Sequence, residues 1–279
     1  MKIIAESSST RTHWTLVDGT EVIAKATTAG LNPYFQSRRE ISHSIRLELP
    51  EAFFRRRWDH VYYYGAGCAN IEKCKIMESS LVAQFKTPVT VESDLLGAAR
   101  GLLVREPGLA CIIGTGSNSC VYDGEHIVSN VRPLGYVLGD EGSGCYIGKL
   151  FVSDCLKGLA PEKISAKFFE EYNIRTDAVM DAIYTAPLAG VLLSSYSNFL
   201  AHHLDNEYVD KLIYDAFTQF FKRNIAPYNY PGKSISVVGA VACRFDKIFI
   251  RAANDFGIEV DKIVPASMPG LIEFHAKDL

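Results

Sequence analysis

Leu109-Ala110-Cys111-Ile112-Ile113-Gly114-Thr115-Gly116-Ser117-Asn118 is an apolar strand that runs directly into a turn of glycines and hydroxyl residues. Five consecutive apolar residues suit a strand buried on both faces. The turn behind it suits an anion, because only small residues let backbone N–H groups converge on a phosphate. Downstream, the residues through Tyr122 continue as a second strand, Asp123-Gly124 is a hairpin signal, and His126 to Val131 reads as a third strand.

The same plan occurs at the N-terminus. Lys2-Ile3-Ile4-Ala5 is a short strand, Ser7-Ser8-Ser9-Thr10 a small-residue turn, and His13–Val17 and Glu21–Thr27 are strands joined by Asp18-Gly19-Thr20. Thr10 and Thr115 bring hydroxyl donors to matched positions. Each meander is followed by single strands alternating with helices: His60–Tyr64 and Pro88–Val91 in the first half, Ser234–Val238 and Ile258–Val260 in the second. Strand alternating with helix implies an α/β fold with a largely parallel sheet covered on both faces. The repeat is one of fold rather than of sequence. It predicts a first domain over residues 1–108 and a second over 109–266, with the helix at about 267–279 packing back on the first. The helical periodicity of residues 161–228 marks an insertion in the second half.

Composition narrows the class of function. The chain has 279 residues, 48% hydrophobic and 22% charged, which suffices for two sizeable cores. A net charge of -3 disfavours nucleic acid and anionic membrane as partners. No apolar run approaches the ~20 residues of a membrane span, and Lys2 is followed by only Ile3, Ile4 and Ala5 before Glu6, unlike a signal peptide. The expected location is therefore cytoplasmic. The 7 cysteines, odd in number and without a Cys-x-x-Cys pair, read as buried thiols such as Cys111 and Cys243 rather than as disulfides or metal ligands.

Three further segments carry a resemblance. With the hairpins Glu6–Thr10 and Gly114–Asn118, they are Glu92-Ser93-Asp94-Leu95-Leu96-Gly97-Ala98-Ala99, Leu134-Gly135-Tyr136-Val137-Leu138-Gly139-Asp140-Glu141-Gly142-Ser143-Gly144, and Val238-Gly239-Ala240-Val241-Ala242. Together, in this order, they resemble the N-acetylglucosamine kinases, also described as BadF/BadG/BcrA/BcrD-type ATPases, within the actin, heat-shock chaperone and sugar kinase superfamily. The resemblance implies two ribonuclease H-like domains around an interdomain cleft, the first binding sugar and phosphate and the second ATP. It implies transfer of the γ-phosphate of ATP to N-acetylglucosamine or glucosamine, with Mg²⁺ as the metal.

Residue by residue, the resemblance makes Asp94 the general base, although an Asp between a strand and a helix also reads as a helix N-cap. Asp140, Asn118, Asn32 and Gly144 become sugar contacts, with Asn32 before Pro33 equally readable as a turn residue. Asp140 and its neighbour Glu141 also read as caps of the following helix and as charges that compensate its dipole. Ser9, Thr10, Arg11, Gly114, Thr115 and Gly116 fall to the phosphates and Gly239 and Ala240 to the adenosine, where a close strand-to-helix turn demands the same small residues. Glu6 stands where the family has an Asp that holds Mg²⁺ through water. Its extra reach, and magnesium's demand for near-ideal octahedral ligands, predict slower turnover, a changed metal preference such as a better fit to Mn²⁺, or no activity. Two rivals remain. An ATPase activator of an iron–sulfur dehydratase would need surface cysteines, for which Cys120 and Cys155 are the available pair. A sugar-sensing protein without turnover would usually carry a DNA-binding helical domain, whereas this chain opens on a strand. A homodimer is compatible with either an enzyme or a sensor.

Overall fold

The computed structural model describes residues 1–8, 10–55, 57–230, 232 and 234–276. The chain forms two compact units, one of Met1–Pro107, Tyr122–Ile127 and Ala266–Leu279, the other of Gly108–Val121 and Val128–Pro265.

The first unit opens with β1 (Lys2–Ser7), β2 (Arg11–Asp18) and β3 (Glu21–Ala29), then α1 (Arg38–Glu48), β4 (His60–Gly65), α2 (Ile71–Phe85), β5 (Val89–Ser93) and α3 (Asp94–Leu103). Its sheet runs β3-β2-β1-β4-β5. β1 is antiparallel to β2 and parallel to β4, in the register Ile3 opposite Leu16 and Val61. Ser7, expected in the turn, is the last residue of β1 and pairs with Thr12. Gly19 takes the left-handed conformation that this two-residue turn needs (φ 59°). Ile3, Ala5, Trp14, Val61 and Tyr63 fill the core on one face, with Met77 and Leu81 from α2. Each such side chain contributes roughly 1.5–3 kcal/mol of burial. Trp14 is fully buried and keeps its indole N–H satisfied on Thr28 Oγ1 at 3.0 Å. α1 begins at a capping box in which Ser37 and Glu40 bond each other's backbone N–H.

The second unit repeats the order. β6 (Gly108–Ile113), β7 (Ser117–Tyr122) and β8 (Ile127–Ser129) form the meander, shorter at its end than the sequence predicts because Asn130 and Val131 turn away to other partners. A single turn, α4 (Gly135–Leu138), precedes α5 (Gly144–Lys157). The predicted insertion is α6 (Glu162–Glu171), α7 (Val179–Thr185), α8 (Ala189–Leu200) and α9 (Glu207–Phe220), which runs into a π-helical turn, Phe221–Ile225. β9 (Ser234–Val238), α10 (Ala240–Arg244), α11 (Asp246–Asp255) and β10 (Glu259–Val264) complete it, in the sheet order β10-β9-β6-β7-β8. β6, β9 and β10 are parallel. The core is aromatic: Phe151, Phe168 and Phe199 lie 5.0–5.6 Å apart, and Phe217, Phe220 and Phe221 surround Phe249.

The last helix, α12 (Met268–Ala276), belongs to the first unit and packs on α3 and β1. Gly101 and Gly270 make the approach possible, since a Cβ on Gly270 would strike the Gly101 carbonyl. Among the described residues no helix is long and apolar enough to cross a membrane.

Candidate active site

In the first unit two carboxylates stand at strand ends. Glu6 is the penultimate residue of β1, and Asp94 is the first residue of α3, directly behind β5. The capping reading of Asp94 is corrected by the structure: Ser93 caps the helix, its Oγ accepting from Leu96 N at 3.2 Å. Asp94 Oδ1 accepts from Leu95 N at 2.9 Å, and among the described residues no side chain donates to Oδ2. Parallel sheets place ligands beyond their carboxyl ends, and that is where both acids lie. Burial pushes the Asp94 carboxyl above the ordinary carboxylate range, against two backbone N–H groups that lower it. Burial raises Glu6 as well, and the nearby Asp94 charge adds to the rise despite the hydrogen bond Glu6 accepts from Ser267 Oγ.

The turn after β1 is closed on itself. Ser8 Oγ accepts from both Thr10 N and Arg11 N at 3.3 Å, and Ser8 N donates to Arg11 O at 2.9 Å. Thr10 and Arg11 are exposed. Ser9 lies outside the described residues. Asn32 shapes the turn before α1, its Oδ1 accepting from Tyr34 N at 2.9 Å and its backbone N donating to Gln36 Oε1 at 2.8 Å.

In the second unit the corresponding turn is open. No hydrogen bond from Thr115 N or Gly116 N occurs among the described residues, and a Cβ on Gly114 would meet nothing within 4 Å. The turn is held from behind: Gly144 N and Cys145 N, at the start of α5, donate to Gly114 O at 2.9 Å and Thr115 O at 3.1 Å. The first donors of that helix thus fix the turn's carbonyls. Asp140 is beside it, in the left-handed region (φ 58°), with Oδ1 accepting from Ser117 N at 3.4 Å. A Cβ on Gly116 would sit 3.0 Å from Asp140 Oδ2, so any larger residue there would force the Asp140 carboxylate to shift. Burial raises the Asp140 carboxyl, and its neighbours include the Cys145 thiol at 3.6 Å.

Ser143 is the N-cap of α5, so the capping role does not fall to Asp140 or Glu141. Glu141 is buried, and its side chain binds Asn224 Nδ2 at 3.2 Å in the π turn. Asn118 Oδ1 accepts from Ser119 N and from Asn130 Nδ2. Gly144 is buried against Ser194 and Ser197, a packing reason for its lack of a side chain. Gly239 (φ 139°) caps α10 where a Cβ would strike Ile113 O, so the end of β9 presses on the start of the 114–117 turn. Ala240, next to it, is exposed.

The structure therefore gathers Glu6 and Asp94 in one unit, and Gly114, Thr115, Gly116, Asp140 and Gly239 in the other. It commits Asn32 and Gly144 to local packing. Ser8 and Ser267 were missed by the sequence reading. Ser8 carries a weak signal as one hydroxyl in a serine run, and Ser267 carries none, being 261 residues from its partner Glu6.

For a divalent cation, Glu6 and Asp94 offer hard carboxylate oxygens whose charge is disfavoured by burial, a condition a cation relieves. No group of three or more His, Cys, Asp or Glu able to hold a metal occurs among the described residues. Two carboxylates fit Mg²⁺, which keeps waters and takes its remaining oxygens from substrate phosphates. The sulfurs that a dehydratase activator would need at its surface are buried, Cys120 fully and Cys155 at 8% exposure. Cys243, expected to be buried like Cys111, is only partly so, because it lies on the outer side of the short α10.

No family profile matches the sequence, and no curated protein does. Solved structures do. A Porphyromonas gingivalis protein provisionally named an N-acetylglucosamine kinase is 35% identical over 100% of this chain and 99% of its own, with a TM-score of 0.96. A similarly named Chromobacterium violaceum protein is 16% identical over 98% of both chains (TM-score 0.74). A ROK family glucokinase from Streptomyces griseus, in complex with glucose and AMPPNP, is 11% identical over 98% of this chain and 97% of its own (TM-score 0.55). The two more distant likenesses concern the fold: two ribonuclease H-like units of the actin-like ATPase and sugar kinase type.

Proposed function

The chain belongs to the family of N-acetylglucosamine kinase-like sugar kinases, and on that premise we propose that it transfers the γ-phosphoryl group of ATP to a hydroxyl of an amino sugar, N-acetylglucosamine or glucosamine. The narrower placement among BadF/BadG/BcrA/BcrD-type ATPases is part of this proposal. The observation that carries it is the Asp94 carboxylate: uncommitted at Oδ2, relieved of capping by Ser93, and raised in proton affinity by burial.

Asp94 takes the proton of the sugar hydroxyl as that oxygen bonds to the γ-phosphorus. The bond from phosphorus to the β,γ-bridging oxygen breaks, and ADP leaves with its electrons. A base whose pKa is lifted towards the working pH is the more effective for this, and such a base contributes ~10²–10⁴-fold. Mg²⁺, when bound, neutralises charge on the transferring phosphoryl group, and Glu6 would hold it through water, with Mn²⁺ as the substitute. The free Thr115 and Gly116 N–H groups, with Gly114 beside them, bind phosphate oxygens, and Thr10 and Arg11 add a hydroxyl and a positive charge. Gly239 and Ala240 lie against adenosine. Asp140 accepts from sugar hydroxyls, supported by Asn118, while Asn32 and Gly144 act only through the packing that shapes the site. ATP and a small amino sugar are then the partners. The coarse test is a coupled assay of ADP release with N-acetylglucosamine, glucosamine, N-acetylmannosamine, N-acetylmuramic acid and glucose. Turnover with an amino sugar supports the reading, and ADP release indifferent to every sugar overturns it.

A further inference from the structure

α1 carries Arg39, Ser42, His43 and Arg46 at the i, i+3, i+4, i+7 spacing of one helical stripe, with Arg38 beside it. That stripe faces the end of α2, and Arg38, Arg39, Ser42, His43, Arg46, Ala83 and Gln84 line a groove of about 530 Å³ between the two helices. The helices are bolted together along it: Gln84 Nε2 donates to Ser42 Oγ at 2.6 Å, and Ser80 Oγ to Arg38 O at 3.2 Å.

The cationic side chains of the groove, Arg38, Arg39, His43 and Arg46, are solvent-exposed and have no acidic partner among the described residues. Among the described residues no carboxylate lines the groove. Both acidic residues of α1 are engaged with backbone elsewhere, Glu40 on Ser37 N at 2.7 Å and Glu48 on Ala29 N at 2.7 Å. Among the described residues none of the three guanidinium groups has an ion-pair partner within 4.0 Å, and Arg46 lies over the Phe54 ring. Arg38 and Arg39 are moreover the first two residues of α1, where the helix end carries partial positive charge and disfavours cations by about 0.3–1 kcal/mol each. The C-terminal end of α2 returns only about half an elementary charge of opposite sign. A cluster kept against local electrostatics is expected where a ligand resolves the conflict. Guanidinium forks match phosphate oxygens in pairs.

We propose that the α1–α2 groove binds a small, free phosphorylated anion carrying two or more negative charges. None of its lining residues belongs to the candidate active site, so the inference stands independently of the proposed reaction. The test follows the His43 Cε1 proton by NMR in the full chain at low salt and fixed pH, during titration with inorganic pyrophosphate. Chloride at matched ionic strength is the control. The expected result is a saturable His43 shift with pyrophosphate and none with chloride, weakened at least tenfold in the double variant Arg39→Gln/Arg46→Gln. ATP-dependent turnover of that variant, measured without pyrophosphate, should equal wild type. A His43 signal that ignores pyrophosphate in the wild-type chain would overturn the proposal. So would an unchanged affinity in the double variant, or co-sedimentation with phosphatidylserine vesicles in place of any response to pyrophosphate.

Discussion

The turns after β1 and after β6 occupy the same place in two sheets of the same strand order, yet they are bonded in opposite ways. The first spends the Thr10 and Arg11 N–H groups on Ser8 Oγ. Among the described residues the second leaves Thr115 and Gly116 N–H without a partner, and it is braced by donors from α5 behind it. The difference lies in one side chain: a hydroxyl inside a turn supplies the acceptor that would otherwise come from a ligand. On the proposed reaction, the duplicated fold divides its labour, one turn shaping the ground around a pair of carboxylates, the other presenting donors to an anion.

The sharpest test of that division is Asp94→Asn, which keeps shape and hydrogen bonding but cannot accept a proton. We expect kcat to fall by ~10²–10⁴-fold, with calorimetric sugar affinity retained; wild-type kcat would place the base elsewhere. Its pH behaviour follows from burial. The acid limb of kcat should lie above the ordinary 3.8 of an aspartate and disappear in Asp94→Asn. The raised folded value also means that protonation of Asp94 stabilises the fold. That contribution is complete below 3.8 and is lost as pH rises through the folded pKa, which acid-range denaturation of wild type against Asp94→Asn would detect.

Crowding the open turn should cost less. Gly116→Ala brings a Cβ to 3.0 Å from Asp140 Oδ2, and we expect about a tenfold loss in kcat/KM, or ~1.4 kcal/mol. Steady-state kinetics with ATP varied would expose the change, and unaltered kinetics would show that Gly116 has no steric duty. Opening the closed turn is the converse. Ser8→Gly frees Thr10 and Arg11 N–H, and KM for ATP should fall about threefold while stability drops by about 1 kcal/mol, the worth of a neutral hydrogen bond. A rise in KM would show the closed turn to be the working form. The smallest effect expected is from Glu6→Asp: about a twofold rise in kcat with Mg²⁺, no change in sugar affinity, and a narrowed advantage of Mn²⁺. Lower activity with Mg²⁺ would mean that the site, including the Ser267 hydrogen bond, is adapted to glutamate.

Much of this was legible in the sequence because it rests on local chemistry. Apolar strands running into small-residue turns, Asp123-Gly124 and the helical period of the insertion all depend on neighbours in the chain. What could not be read depends on geometry over short distances in space. Whether Ser93 or Asp94 capped α3 turned on which oxygen reached Leu96 N. Ser8 differed from Ser7 only in where its hydroxyl pointed. The π turn at Phe221–Ile225 looks like more of α9 in sequence, but the extra residue sets Asn224 against Glu141 and Tyr228 against Ser119.

The docking of α12 on α3 and β1 has a consequence for how the protein is made. A ribosome releases the first sheet and its helices early, but the covering helix only after everything from Gly108 to Pro265 has been translated. At 5–20 residues per second that interval lasts roughly 10–30 s. Throughout it, the hydrophobic seat of Met268 and Leu271 beside Ile4 and Tyr64 stands open, and Glu6 lacks Ser267. The half that emerges first is therefore finished last, and a nascent chain stalled anywhere short of residue 268 presents an apolar scar for chaperones or for neighbouring chains.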